Sequence, residues 1–157
     1  MKTYHCNSIA SGARSSPPTS PFPFSERISE PPETLLVVDD DHMIRDVETQ
    51  ILRLQGYTVL EAQDAAGALR LAREAAAIHL LITDFSMPEI DGWELTRRFR
   101  AMHPRIPVLM VSGSLPLLRD TTQDLDPFEF LAKPFHYDEL LHKVRALLDA
   151  VAPLPRR

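Results

Sequence analysis

The run Leu80-Leu81-Ile82-Thr83-Asp84 limits what this chain can fold into more than any other stretch. It is short, apolar and closed by an acid. A run of this length between polar segments reads as a buried strand, because helices need ten or more residues. Similar runs are Thr34 to Val38, Pro107 to Ser112 and Phe128 to Ala132, with a weaker one at Tyr57 to Leu60. Polar residues stop four of the five. Asp39 and Asp40 end the first, and Asp84, Ser112 and Lys133 end the others.

Helical patterns fill the gaps. His42 to Leu54 carries Ile44, Val47, Ile51 and Leu54 at helical spacing. Asp41 can cap it, and Gly56 suits the position just beyond its end. Asp64 caps a second helix through about Ala76, with Ala65, Ala68, Leu69 and Ala72 on one face. A third follows the Asp91 cap, from about Trp93 to Met102, and buries Leu95, Phe99 and Met102. A fourth spans Leu115 to Leu125 and is ragged, since Pro116 is tolerated only in a first turn. The last runs from Tyr137 to about Val151, with Leu140, Leu141, Val144, Leu147, Leu148 and Val151 as its stripe. Five strands alternating with five helices predict an α/β fold: a doubly wound parallel sheet with helices on both faces and right-handed crossovers.

The stretch 1–33 is different. Ser15-Ser16-Pro17-Pro18, Pro21-Phe22-Pro23-Phe24 and Pro31-Pro32 favour neither helix nor ladder, so it reads as a disordered extension. The folded domain is expected over 34–152, with 153–157 as a short tail. A net charge of −5 argues against a nucleic-acid surface, whose phosphate contacts need a basic patch. The single cysteine, Cys6, allows no internal disulfide. Neither a secretory h-region nor an apolar run of ~18 residues is visible, so no membrane is implied and the cytoplasm is the expected compartment.

In a parallel sheet all strand ends of one sense share an edge. Asp39, Asp40, Asp84, Ser112 and Lys133 therefore gather into three carboxylates, one hydroxyl and one ammonium. Two like charges ~4 Å apart cost on the order of 4 kcal/mol at an effective dielectric of 20, and a bound cation relieves this. Oxygen ligands suit Mg²⁺, which keeps waters and takes one or two carboxylates plus phosphate oxygens. His42, His79, His103, His136 and His142 show no paired ligand spacing, so zinc or copper is not expected. Mg²⁺-assisted phosphoryl transfer fits the set, with Asp84 as nucleophile and Ser112 and Lys133 supplying a donor and a charge.

With these residues in view, the chain resembles the receiver domain of two-component response regulators. The resemblance rests on Val37-Val38-Asp39-Asp40-Asp41, on Thr83-Asp84-Phe85-Ser86-Met87-Pro88-Glu89-Ile90-Asp91-Gly92, on Val111-Ser112-Gly113 and on Phe130-Leu131-Ala132-Lys133-Pro134-Phe135. It covers about Thr34 to Ala152. It implies a flavodoxin-like sheet in the order 2-1-3-4-5 and Asp84 as phosphoacceptor. Asp40 would bind Mg²⁺ directly, Asp39 through water and Ser86 through its carbonyl, with Mn²⁺ as an alternative ion. Ser112 would hydrogen-bond the phosphoryl group, Lys133 would pair with it across a cis Lys133–Pro134 peptide, and Phe130 would take the place of the aromatic switch residue.

The implied partner is a histidine kinase or a histidine phosphotransfer protein, with an unidentified downstream protein. Nothing resembles a helix-turn-helix, so a single-domain receiver without a DNA-binding output is expected. Such a protein is a self-directed switch rather than an enzyme. The alternatives are a phosphorylation-independent scaffold and a receiver fragment of a hybrid histidine kinase. Asp126-Pro127, where the family often has Gly-Ala, and Pro116 depart from the pattern.

Overall fold

The computed structural model describes residues 32–113 and 128–151. The apolar runs become β1 (Thr34–Val38), β2 (Thr58–Ala62), β3 (Leu80–Asp84), β4 (Val108–Ser112) and β5 (Phe128–Ala132). They pair in parallel, in the order β2-β1-β3-β4-β5. Strand order reverses direction between β1 and β3. In open sheets of this kind, ligands bind outside the carboxyl ends of the strands at such a reversal.

The helices are α1 (His42–Leu54), α2 (Ala65–Glu74), α3 (Gly92–Met102) and α4 (Tyr137–Ala150). The expected helix at Leu115 to Leu125 lies outside the described residues, as do Asp126-Pro127, residues 1–31 of the extension and the 153–157 tail.

Three acids start three helices. Asp41 accepts from the amides of Met43 and Ile44, Asp64 from Gly67 and Asp91 from Glu94. Each satisfies backbone donors that a helix N-terminus leaves orphaned. Asp39 and Asp84 cap nothing and are left for other work. Gly56 follows α1 at φ +91°, a conformation that glycine adopts without strain.

Strand alternation divides the core between two faces. Leu35 and Val37 of β1 pack toward α1 and α4, with Leu52, Leu140 and Val144. Leu36 and Val38 pack toward α2 and α3, with Ala68, Leu95 and Phe99. Covering both faces is why the strands read as continuous apolar runs. Trp93, at the start of α3, meets Phe128 of β5 edge to face at 5.5 Å.

One helix is turned differently from its sequence pattern. The apolar spacing in α1 marks Ile44, Val47, Ile51 and Leu54 as one face, yet Val47 is 58% and Leu54 83% exposed. The buried residues are Glu48, Thr49 and Leu52. Leu52 sits in the core between sheet and α4, and Arg45 Nη1 donates to the Asp39 carbonyl at 2.7 Å. These anchors and the Asp41 cap set the rotation. Glu48, one turn before Leu52, then faces inward.

Candidate functional site

The strand ends converge. Lys133 Nζ donates to Asp39 Oδ2 at 2.8 Å and to Asp84 Oδ1 at 3.0 Å. Residues 94 and 49 positions apart are thus joined through one ammonium group. Backbone bonds just past the strands carry these side chains to the same place. The Lys133 amide donates to the Ser112 carbonyl at 2.7 Å, and the Phe85 amide to the Val111 carbonyl at 2.8 Å. The Lys133–Pro134 peptide is cis.

Asp39 is held on three sides. Its Oδ1 accepts from the Asp41 amide at 2.8 Å, its Oδ2 from Lys133 and its carbonyl from Arg45. The residue is 2% exposed, while Asp84 is 7% and Ser112 1%. Asp40 is exposed at the rim, and Ser86 is exposed on the loop after β3. The Ser86 amide hydrogen-bonds the Asp84 carboxylate. Phe130 is half-buried on β5.

Gly92 lets the loop return to Asp84. A Cβ at this position would collide with the Asp84 carbonyl oxygen and crowd Phe85, and the Gly92 amide donates to the Phe85 carbonyl at 2.9 Å. Glu89, in the same loop, holds φ +67° without being glycine. Such conformations occur where the surroundings over-determine the backbone.

The electrostatics follow from burial. Desolvation raises the Asp84 carboxyl above its ordinary value; the hydrogen bond and charge of Lys133 oppose this, Asp39 adds to it, and the Ser86 amide opposes it. Burial works against the Lys133 ammonium, but hydrogen bonds to Asp39 and Asp84 outweigh it, and the amine is raised. Lys133 therefore stays charged at neutral pH. Glu48 lies within the same field. Burial, then Asp39, push its carboxyl up to about 7, with Lys133 opposing and Asp84 adding.

The residues fit a hard divalent cation. Two buried carboxylates already converge on one cationic nitrogen, so the ammonium of Lys133 marks where positive charge is stabilised. The side-chain donors brought together are oxygens, those of Asp39 and Asp84, and Asp40, next to Asp39 in sequence, is exposed. Among the described residues, no three His, Cys, Asp or Glu side chains assemble into a metal cage. Two carboxylates completed by water and phosphate oxygens are what Mg²⁺ takes.

Of the residues expected at the site, the structure joins Asp39, Asp84 and Lys133 directly and sets Ser112 at the neighbouring strand end. It leaves Asp40 and Ser86 on the surface beside them and Phe130 within β5. Sequence reasoning missed Arg45 and Glu48. Glu48 shares the inward side of α1 with Leu52, but hydrophobic periodicity counts a charged residue against burial. Arg45 carries no signal, because a carbonyl partner leaves no mark in a sequence.

Comparison with known proteins identifies the family and agrees with the fold. The response regulator receiver domain family matches residues 35–145. The response regulator MprA of Mycobacterium sp. (strain KMS) is 34% identical over 128 residues, 78% of this chain and 53% of MprA. The chain thus spans about half the length of that relative. The crystal structure of the receiver domain from the hybrid histidine kinase CckA is 37% identical, with a TM-score of 0.63, covering 73% of this chain and 98% of that one. The chemotaxis protein CheY4 of Vibrio cholerae is 27% identical, with a TM-score of 0.69, covering 74% and 99%. The family match, the 2-1-3-4-5 parallel sheet and these relatives lead to one assignment: the chain belongs to the response regulator receiver domains.

Proposed function

We propose that this protein is a phosphorylation switch that accepts a phosphoryl group on Asp84. The observation that carries the reading is the bridge from Lys133 to both Asp39 and Asp84. A carboxylate oxygen of Asp84 attacks phosphorus, the bond from phosphorus to a partner's histidine nitrogen breaks, and that nitrogen keeps the electron pair. An acyl phosphate forms. Asp39, Asp40, Asp84 and the Ser86 carbonyl would hold Mg²⁺, which when bound would supply charge neutralisation for the phosphoryl oxygens. Lys133 keeps its proton and moves from the carboxylate to a phosphoryl oxygen. Ser112 donates to another.

The donor is a histidine kinase or a histidine phosphotransfer protein in the cytoplasm. The added charge, about −1.5 to −2 at neutral pH for a protein phosphate, biases a two-state surface on β5 through Ser112, Lys133 and Phe130. The unit 34–152 carries the switch, and 1–33 is an extension to it. A second reading, the receiver portion of a hybrid histidine kinase, is favoured by the 37% identity with the CckA receiver.

Asp84→Asn tests the assignment. With a small phosphodonor such as phosphoramidate and Mg²⁺, the wild-type protein gains a labile phosphate and the variant gains none. Equal labelling of the variant would overturn it.

A further inference from the structure

We infer that the outer face of α2 and α3 is a docking surface for an acidic polypeptide segment of a partner protein. The inference stands apart from the phosphoacceptor reading, since none of its residues belongs to the site above. The two helices and the loop after α3 carry Arg70, Arg73, Arg97, Arg98, Arg100 and Arg105. The acids within these helices are Glu74 and Glu94, and the capping Asp64 and Asp91 sit at the opposite, N-terminal ends. Elsewhere among the described residues, acids outnumber lysine and arginine together. The net charge of −5 thus hides one basic face.

The carboxylates on this face fall short of the arginines. Glu94 serves both Arg97, through two bonds of 2.8 Å, and Arg98, at 2.7 Å. Glu74 accepts from Arg70 at 3.2 Å. Arg73 and Arg105 are exposed and enter no ion pair among the described residues. The ends of the two helices are tied together, because His103 Nε2 lies 2.9 Å from the Ala72 carbonyl. Arg73 follows Ala72 directly, and Arg105 comes two residues after His103. A cation in a last turn complements the helix dipole, which accounts for Arg73 and Arg100. It does not account for Arg70, Arg97, Arg98 or Arg105.

Guanidinium forks suit carboxylate and phosphate alike. Extent separates the two partners. At physiological salt, exposed charges act over about 8 Å. A nucleic acid or an anionic membrane reaches past this face and meets the acids around it. A short acidic segment stays within the face, where the arginines already hold carboxylates.

The test is binding of the full chain to a dye-labelled oligoglutamate peptide at low salt, read by fluorescence anisotropy. A single-stranded oligonucleotide and anionic phospholipid vesicles run beside it. Arg73→Gln with Arg105→Gln weakens peptide binding by about fivefold. Gln50→Glu with Gln55→Glu, on and just after α1, makes the same change in net charge and leaves binding within about twofold of wild type. Should the first pair fail to fold, Arg97→Gln with Arg98→Gln decides by the same criteria. Wild-type protein that does not bind the peptide overturns the inference, as does an equal loss in the α1 pair or no loss in the arginine pair. Tighter binding of the oligonucleotide or the vesicles, lost in the arginine pair, overturns the assignment of the partner as a polypeptide. Failure of Asp84 labelling removes the phosphoacceptor reading and leaves this one standing.

Discussion

Both faces of the sheet bury an apolar cluster, but they differ in the polar groups placed within it. On one side α2 lays down Ala65, Ala68 and Ala72, and α3 adds Leu95, Phe99 and Thr96, whose hydroxyl donates to the Gly92 carbonyl at 2.7 Å. Every buried group named there is apolar or paired. On the other side α1 turns Glu48 and Thr49 inward, and Glu48 Oε1 and Thr49 Oγ1 find no partner. The first face is arranged for packing. The second is as apolar, but it also buries these two polar atoms on the inward side of α1.

That contrast can be broken at three strengths. Phe99→Ala empties the largest fully buried side chain on the well-packed face and should cost about 4 kcal/mol in denaturant unfolding, the range for losing a buried aromatic. A loss below about 1 kcal/mol would show that this face is not the rigid partner.

The second test concerns Glu48 in metal-free buffer. Its carboxyl stands at about 7 in the folded chain against an ordinary 4.5. The folded state therefore holds the proton more tightly than the unfolded chain does. Stability from this group is fully present below about pH 4.5 and is lost as pH rises through 7. The gap between wild type and Glu48→Gln should widen in favour of the variant by on the order of 3 kcal/mol from pH 4 to pH 8. A gap that stays flat across this range would remove the proposed burial of charge.

The finest test compares two threonines. Thr49→Val replaces a buried hydroxyl without a partner and should gain about 1 kcal/mol, while Thr96→Val breaks a made hydrogen bond and should lose about 1 kcal/mol. Equal effects would mean that the two faces do not differ in polar satisfaction.

Much of the architecture was legible because apolar runs stop abruptly. Leu80 to Thr83 and Val108 to Val111 have no polar interruption, so strand ends and sheet edge follow from their termini. The caps Asp41, Asp64 and Asp91 were equally plain, since each precedes a helical pattern and accepts backbone hydrogen bonds. The rotation of α1 was not. Val47 and Leu54 imitate an inner stripe, and the true one contains a glutamate and a threonine that hydrophobic periodicity counts against burial. At the site, Asp39, Asp84 and Lys133 were readable as strand-end residues. The role of Gly92 as a gap for the Asp84 carbonyl depends on a close approach between loop and helix, which spacing does not express.

The edge-to-face pair of Trp93 and Phe128 has an experimental consequence. Trp93 is the only tryptophan in the sequence, and Phe128 shares a strand with Phe130 two positions away. Indole emission from the native protein thus watches the first residue of that strand without any attached dye. Were phosphorylation to displace β5, selective excitation of this one indole would report it as a change in intrinsic fluorescence.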